Sequence, residues 1–143
     1  MVNSIIEAIA VALNSEFGDS FKIYTEEKHE YLQEPCFFVS CINPSNRLFL
    51  DRRYFRENMF VVQYFPENSL NKRTECNAIA ERLYSCLEWL NVSDDPVMCS
   101  KMHYEIIDGV LNFFAEYNLF VIKAKEDTTM ETLNLNQIEK KGG

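Results

Sequence analysis

The stretch "DGVLNFFAEYNLFVIKAKE", Asp108 to Glu126, decides how this chain folds. It opens on Asp108-Gly109, the strongest hairpin signal in the sequence, because a tight type I′ turn needs positive φ at both central residues. After the turn the run contains no breaker. Phe113, Phe114, Tyr117 and Phe120 stand among aliphatics, and Val121-Ile122 continue them. In a strand, successive side chains point to opposite faces. Phe114 and Phe120 therefore belong to one face, and Phe113, Tyr117 and Val121 to the other. From Val110 to Ala124 such a strand would extend on the order of 45–50 Å. A domain of this size has a radius of gyration of about 14–15 Å. The spacing thus predicts a long second arm of an antiparallel hairpin, apolar on both faces and too extensive for two helices to cover. Uncovered apolar surface of this kind marks a protein–protein contact, and the expectation is a self-assembling subunit. Head-to-tail contacts that close give rings.

Working outward, "VMCSKMHYEII" before the turn reads as the first arm, a strand over 97–107 with Met98, Met102, Tyr104 and Ile106 on one face. Upstream, Asn71 is positioned to cap a helix reaching about Leu90, its buried stripe being Cys76, Ile79, Ala80, Leu83, Leu87 and Leu90. "NVSDDP", 91–96, reads as a loop. At the N-terminus, Val2, Ile5, Ile6, Ile9, Leu13 and Phe17 recur at three- and four-residue steps. That predicts a helix over 4–17, with Ser4 and Glu7 as a capping box and Gly18 just past its end. Phe21–Thr25 reads as a short strand and "PCFFVSCI", 35–42, as an interior strand. Asn43-Pro44-Ser45-Asn46 reads as a turn. In "RLFLDRRYFRENMFVVQYFP" the half from Asn58 to Phe65 is a strong strand. The other half either pairs beside it or forms the connection.

The predicted fold is α+β. An antiparallel or mixed sheet of about five strands carries two helices on one face, in the order α-β-β-β-α-β-β. Residues 1–125 form the domain, and 126–143 a polar C-terminal arm in which "METLNLN" alternates weakly.

The chain has 143 residues, 22 acids against 14 Lys and Arg, and a formal net charge of −8. A polyanion partner gains affinity from cations that displace its counterions, so the balance argues against general nucleic-acid binding. The five cysteines make no CxxC pair and read as reduced, mostly buried thiols of an intracellular protein. No membrane-length apolar run or signal-peptide pattern is visible. Only four glycines occur, so no phosphate-cradling loop can be drawn. "HEYLQ", 29–33, has Gln33 where a zinc helix would need its second histidine. The acid pairs Glu26-Glu27 and Asp94-Asp95 lie in hydrophilic segments that would not separate their pKa values for acid–base work. "RRYFR", 52–56, interleaves cations with aromatics, a pattern that stacks on single-stranded nucleic acid or reaches acids on a neighbouring subunit. The candidate interface with another subunit is therefore Arg52, Arg53 and Arg56 with Phe113, Phe114, Tyr117 and Phe120. No cofactor, metal or catalytic residue is predicted.

"PCFFVSCINPS" (35–45), "RRYFRENMFVVQYFP" (52–66), "DGVLNFFAEYNLFVIK" (108–123) and "METLNLN" (130–136), with the element order, resemble the tail-terminator (tail-completion) family of tailed bacteriophages and prophages. The resemblance implies a structural protein without a cofactor. Its sheet would carry helices on one side, and it would assemble as a homo-oligomeric, hexameric ring. That ring would cap the tail tube protein, stop its polymerisation and meet the head–tail connector protein, with DNA only passing through the lumen. It implies assembly in the cytoplasm of the bacterial host and residence in the virion tail. The arm after Lys125 could reach a neighbouring subunit. Two other classes stay open: an acidic inhibitor that mimics nucleic acid, and a small Cys- or Glu-dependent enzyme.

Overall fold

The computed structural model describes residues 2–25, 33–50, 53–67 and 70–122. Within its strands, the side chains of 43–47, 49–50, 53–55 and 119–122 lie outside that description. The elements run α1 (Val2–Phe17), β1 (Lys22–Tyr24), β2 (Cys36–Leu50), β3 (Arg53–Phe65), α2 (Lys72–Cys86), β4 (Trp89–Val92), β5 (Asp95–Met98), β6 (Lys101–Ile107) and β7 (Val110–Ile122). Five strands form one mixed sheet in the order β1-β2-β3-β7-β6, and β4 and β5 form a separate pair. The fold is α+β, as the periodicities predict. The chain divides into two compact units, Met1–Asn43 with Asn58–Tyr117, and Pro44–Glu57 with Asn118–Gly143. The predicted arm at 126–143 lies outside the described residues.

In the first unit, α1 buries Ile5, Ile9, Leu13 and Phe17, one residue per turn. The helix begins at Val2, so Ser4 sits inside it and the capping box is not its start. Its end is as expected. Gly18 has φ +81, and its N–H donates to the Asn14 carbonyl at 2.9 Å. Arg82 of α2 secures the same end. Its Nε donates to Glu16 Oε2 at 2.9 Å, its Nη2 donates to the Glu16 carbonyl at 2.7 Å, and its guanidinium lies 4.3 Å from the Phe17 ring centroid. A cation at a helix C-terminus meets the exposed carbonyls and the negative end of the dipole.

Both helices cover the same sheet face. Phe17 of α1 meets Phe37 of β2 at 4.9 Å between ring centroids, and Phe37 meets Tyr64 of β3 at 5.0 Å. Tyr64 donates its hydroxyl to Glu75 of α2. On β7, Phe113 packs edge-on against Tyr84 of α2 at 5.0 Å, and the buried Tyr117 hydroxyl donates to the Leu87 carbonyl. The residues alternate as a pleated strand requires: Phe60, Val62 and Tyr64 on β3, and Leu111, Phe113, Ala115 and Tyr117 on β7, are all buried. Asn58, the buried polar residue on this face, satisfies its amide by donating Nδ2 to the Tyr117 carbonyl at 3.3 Å.

The hairpin that the opening stretch predicts is present. β6 and β7 pair antiparallel from Lys101↔Glu116 to Ile107↔Val110. Asp108 has φ 52 and Gly109 φ 77, the two positive values of a type I′ turn. A Cβ at Gly109 would stand 3.2 Å from Lys72 Cδ and would sit in a backbone region that β-branched residues avoid. Gly109→Val is therefore expected to lower stability by about 1 kcal/mol or more. A thermal melt checks this, and an unchanged midpoint would count against the turn.

Three local readings need correction. Asn43-Pro44-Ser45-Asn46 is no turn: β2 runs through it to Leu50. β1 accompanies β2 only at Cys36, Phe37 and Phe38. Beyond Phe38, in the described sheet, β2 has only β3 beside it, and an edge strand accepts proline. α2 stops at Cys86 rather than near Leu90, with the Leu87 N–H closing on the Leu83 carbonyl at 3.0 Å. Leu90 is buried from β4, because helical spacing from Leu87 and strand alternation toward Val92 both pass through it. Asn71 does stand at the N-cap of α2, with no side-chain capping bond.

The last correction concerns 91–107. "NVSDDP" is the turn of a hairpin, and the strand expected over 97–107 is two strands. Trp89↔Met98 and Val92↔Asp95 are paired, with Ser93 at φ 51 and Asp94 at φ 70. This is a second turn with positive φ at both central residues, built without glycine; Asp is among the non-glycine residues that tolerate that region. Met98 consequently leaves the face it was expected to share with Met102, Tyr104 and Ile106.

Candidate functional site

The sheet face opposite the helices is the candidate surface. In the first unit it carries Phe38 on β2, Met59, Val61, Gln63 and Phe65 on β3, and Asn112 and Phe114 on β7. All are half-buried except Val61, which is 8 % exposed. β6 adds Lys101, His103, Glu105 and Ile107, all exposed. The register sets His103 opposite Phe114, and their rings stack at 4.7 Å and 15°. Gln63 Nε2 donates to Asn112 Oδ1 at 2.9 Å, tying β3 to β7 on this face. The result is an apolar centre crossed by one amide pair, with charges along β6. Among the described residues no helix lies over it, because α1 and α2 pack on the other side. β6 is also the last strand in the sheet order, so its outer backbone edge has no strand beside it among the described residues.

The predicted interface residues separate on this geometry. Phe113 and Tyr117 are fully buried within the chain and present nothing to a partner. The helices cover one face of the strand and not both: α2 and the segment that follows it cover the Phe113–Tyr117 side, through Tyr84 and Leu87. Phe114 lies on the open face. In the second unit, Arg56 is half-buried on β3. Arg53 begins β3 and Phe120 lies on β7, with their side chains outside the described residues, as is Arg52 altogether. Among the described side chains, the structure therefore puts Phe113 and Tyr117 on one face of β7 and Phe114 on the other. It adds Met59, Val61, Phe65 and His103, which the sequence reading passed over. The alternation in "NMFVVQYF" carries that signal once Phe60, Val62 and Tyr64 are known to face the helices.

The five cysteines are free thiols. Burial, with Glu34 as a second cause, pushes the Cys36 thiol up to about 11. Burial, with Glu16 next, pushes Cys86 up to about 12. Burial raises Cys41, Cys76 and Cys99 as well. All five stay protonated at neutral pH, whereas a nucleophilic cysteine needs its thiolate. Among the described residues, no group of three or more His, Cys, Asp or Glu is arranged to hold a metal ion, and no helix is long and apolar enough to cross a membrane. Asp94 and Asp95 are both exposed at the β4–β5 turn. Glu26-Glu27 and His29 lie outside the described residues.

Comparison with protein families places this arrangement. The model of the phage tail terminator protein family matches residues 4–129, from α1 through β7. The chain belongs to the phage tail terminator family. This terminator is accordingly a bacteriophage structural protein of the virion tail, working in contact with other tail components. Comparison with curated proteins finds no match. The matched span contains β1 through β7 and α1 from Ser4 onward, and so includes the open sheet face and the β4–β5 hairpin.

Proposed function

We propose that this terminator assembles as a homo-oligomeric ring of six copies that caps the tail tube, ends its polymerisation and presents its far surface to the head–tail connector. The reading rests on the open sheet face, where Met59, Phe65 and Phe114 are half-buried opposite the Phe60, Val62, Tyr64 and Phe113 layer that packs under the helices. A second copy covers it in the ring, burying those side chains at about 25 cal/mol per Å² removed from water. Arg52, Arg53 and Arg56 face neighbouring copies or the tube, pair with carboxylates there, and set register more than raw affinity. Phe120 joins that contact. No cofactor takes part. Assembly occurs in the cytoplasm of the bacterial host.

The lumen of such a ring must let DNA slide. Each cation facing the phosphates would release counterions and hold the DNA, so the net charge of −8 suits a slippery passage. The variant carrying Arg52→Glu, Arg53→Glu and Arg56→Glu is expected to keep its far-UV circular dichroism and to lose assembly or tube capping. Light scattering follows the mass, and electron microscopy of the protein mixed with tail tubes follows the capping. Normal assembly together with loss of a DNA affinity that the parent possessed would replace this reading with nucleic-acid binding.

A further inference from the structure

The outer edge of β6 is a second surface, made of backbone rather than side chains. Among the described residues no strand lies beyond it, and its seven residues include neither proline nor glycine. The groups it offers follow from the Asp108-Gly109 turn, in which the Ile107 carbonyl accepts from the Val110 N–H. Opposed residues of an antiparallel pair alternate between exchanging both bonds and exchanging none. Lys101, His103, Glu105 and Ile107 therefore bond inward to β7, and Met102, Tyr104 and Ile106 aim their N–H and carbonyl groups outward. Such a row is a template for one more strand, which native edges discourage with proline or charge. β6 carries charge, in an order that selects the strand. Lys101, His103 and Glu105 follow one another along the open face, all exposed, and the His103 ring is held by its stack on Phe114.

The strand that fits this edge is β6 of a second copy. A parallel copy in register would set like charge against like. An antiparallel copy turned about Tyr104 sets His103 opposite Glu105 of the partner subunit, twice, with Lys101 diagonal to that carboxylate and within reach of it. On the helix side it sets Met102 opposite Ile106 of the partner subunit, twice, and Tyr104 opposite its own counterpart; all three are half-buried in the single chain. These are also the outward-bonding residues, so donors meet acceptors along the whole edge. Turning about His103 instead would run Ile106 and Ile107 past Ser100 and Cys99, where the chain bends away and the Cys99 N–H donates to the Glu88 carbonyl at 2.9 Å. We propose that free copies of the chain pair through their β6 edges, antiparallel about Tyr104. The contact is isologous and closes at two copies, so it is separate from the contacts of the ring. Side chains of one face stay on one face across it, and the two open sheet faces lie side by side, still uncovered. The pair shields an edge that would otherwise recruit other strands, and its small area makes it a transient contact.

The test sediments the full chain across a concentration series. The parent is expected to pass reversibly from one copy to two. His103→Glu sets carboxylates opposite each other at both places and is expected to weaken pairing by at least about tenfold. Adding Glu105→His returns an imidazole opposite each carboxylate at the parent's net charge, and is expected to recover pairing. Ile106→Pro removes an outward N–H and no inward one. It is expected to abolish the two-copy species while far-UV circular dichroism and the thermal midpoint stay near the parent's. A parent that stays at one copy, or passes directly to larger rings with no two-copy species, overturns the proposal and leaves the ring reading standing. A two-copy species that survives both His103→Glu and Ile106→Pro also overturns it, and assigns the contact to another surface such as the open sheet face. Recovery in the double variant supports it, because neither a folding defect nor a change in net charge produces that result.

Discussion

Phe113→Ala is expected to destabilise the fold by about 3–5 kcal/mol, and Phe114→Ala, one residue further on, by far less. Phe113 is fully buried between Tyr84 of α2, 5.0 Å away edge-on, and Tyr104 of β6, 6.4 Å away and nearly parallel. Removing its ring leaves a cavity roofed by a helix and floored by a sheet. Neither can collapse into it without breaking its own hydrogen bonds. Phe114 points to the opposite face, half-buried, where it keeps His103 for company. Its truncation loses one stacked contact, worth about 1 kcal/mol, and opens no cavity. Urea unfolding of both variants at one protein concentration separates them, with an unchanged m-value as the sign that only stability has moved. Equal losses would show that the two faces of β7 are equally covered, and the open sheet face would cease to be a candidate surface. The converse measurement belongs to assembly: Phe114→Ala should weaken oligomerisation.

Leu83→Ala is expected to cost about 2–5 kcal/mol. Leu83 is fully buried on the inner face of α2, in line with Cys76, Ile79 and Ala80, and α1 contributes Ile5, Ile9 and Leu13 to the same layer, each fully buried. Leu70→Ala, just before the helix at a fully exposed position, serves as the control and should fall within about 0.5 kcal/mol of the parent. Chemical denaturation checks both. A loss below about 1 kcal/mol at Leu83 would mean that α2 does not seal the sheet, and the assignment of Phe113 and Tyr117 to the core would fail with it.

These two effects mark where sequence patterning sufficed. In Ile5, Ile9, Leu13 and Phe17, and in Cys76, Ile79 and Leu83, the repeat of one helical turn places a stripe on one side of a helix wherever that helix packs. Asp108-Gly109 determines its turn almost alone, since few other pairs tolerate two positive φ values. The parity of Phe113 and Phe114 likewise separates them onto opposite faces of any strand. Element type, the β6–β7 hairpin and the helix-versus-sheet layering were therefore legible residue by residue, and the family resemblance in "RRYFRENMFVVQYFP" and "DGVLNFFAEYNLFVIK" agrees with the match over residues 4–129.

What parity does not say is which face is covered, because Phe113 and Phe114 are equally apolar. That was decided by where α2 and the chain after it settle: Tyr84 and the Leu87 carbonyl reach the Phe113–Tyr117 side and leave Phe114 on the opposite face. The same dependence on neighbours explains the other differences. Pro44 ends a strand only if its missing N–H is needed, and β1 is too short to need it. Leu90 fits a helix and a strand equally, and Met98, Pro96, Asn91 and Val92 chose the strand by pairing. Ser93-Asp94 lacks the glycine that announces a tight turn, so the hairpin that lifts Trp89 and Met98 to the surface was invisible locally. By itself, the sequence determined the periodicities, the Asp108-Gly109 turn and the charge. The tertiary structure alone decided which apolar residues are core and which stay on the open face, because burial belongs to a pair of packed surfaces and a sequence displays them one at a time.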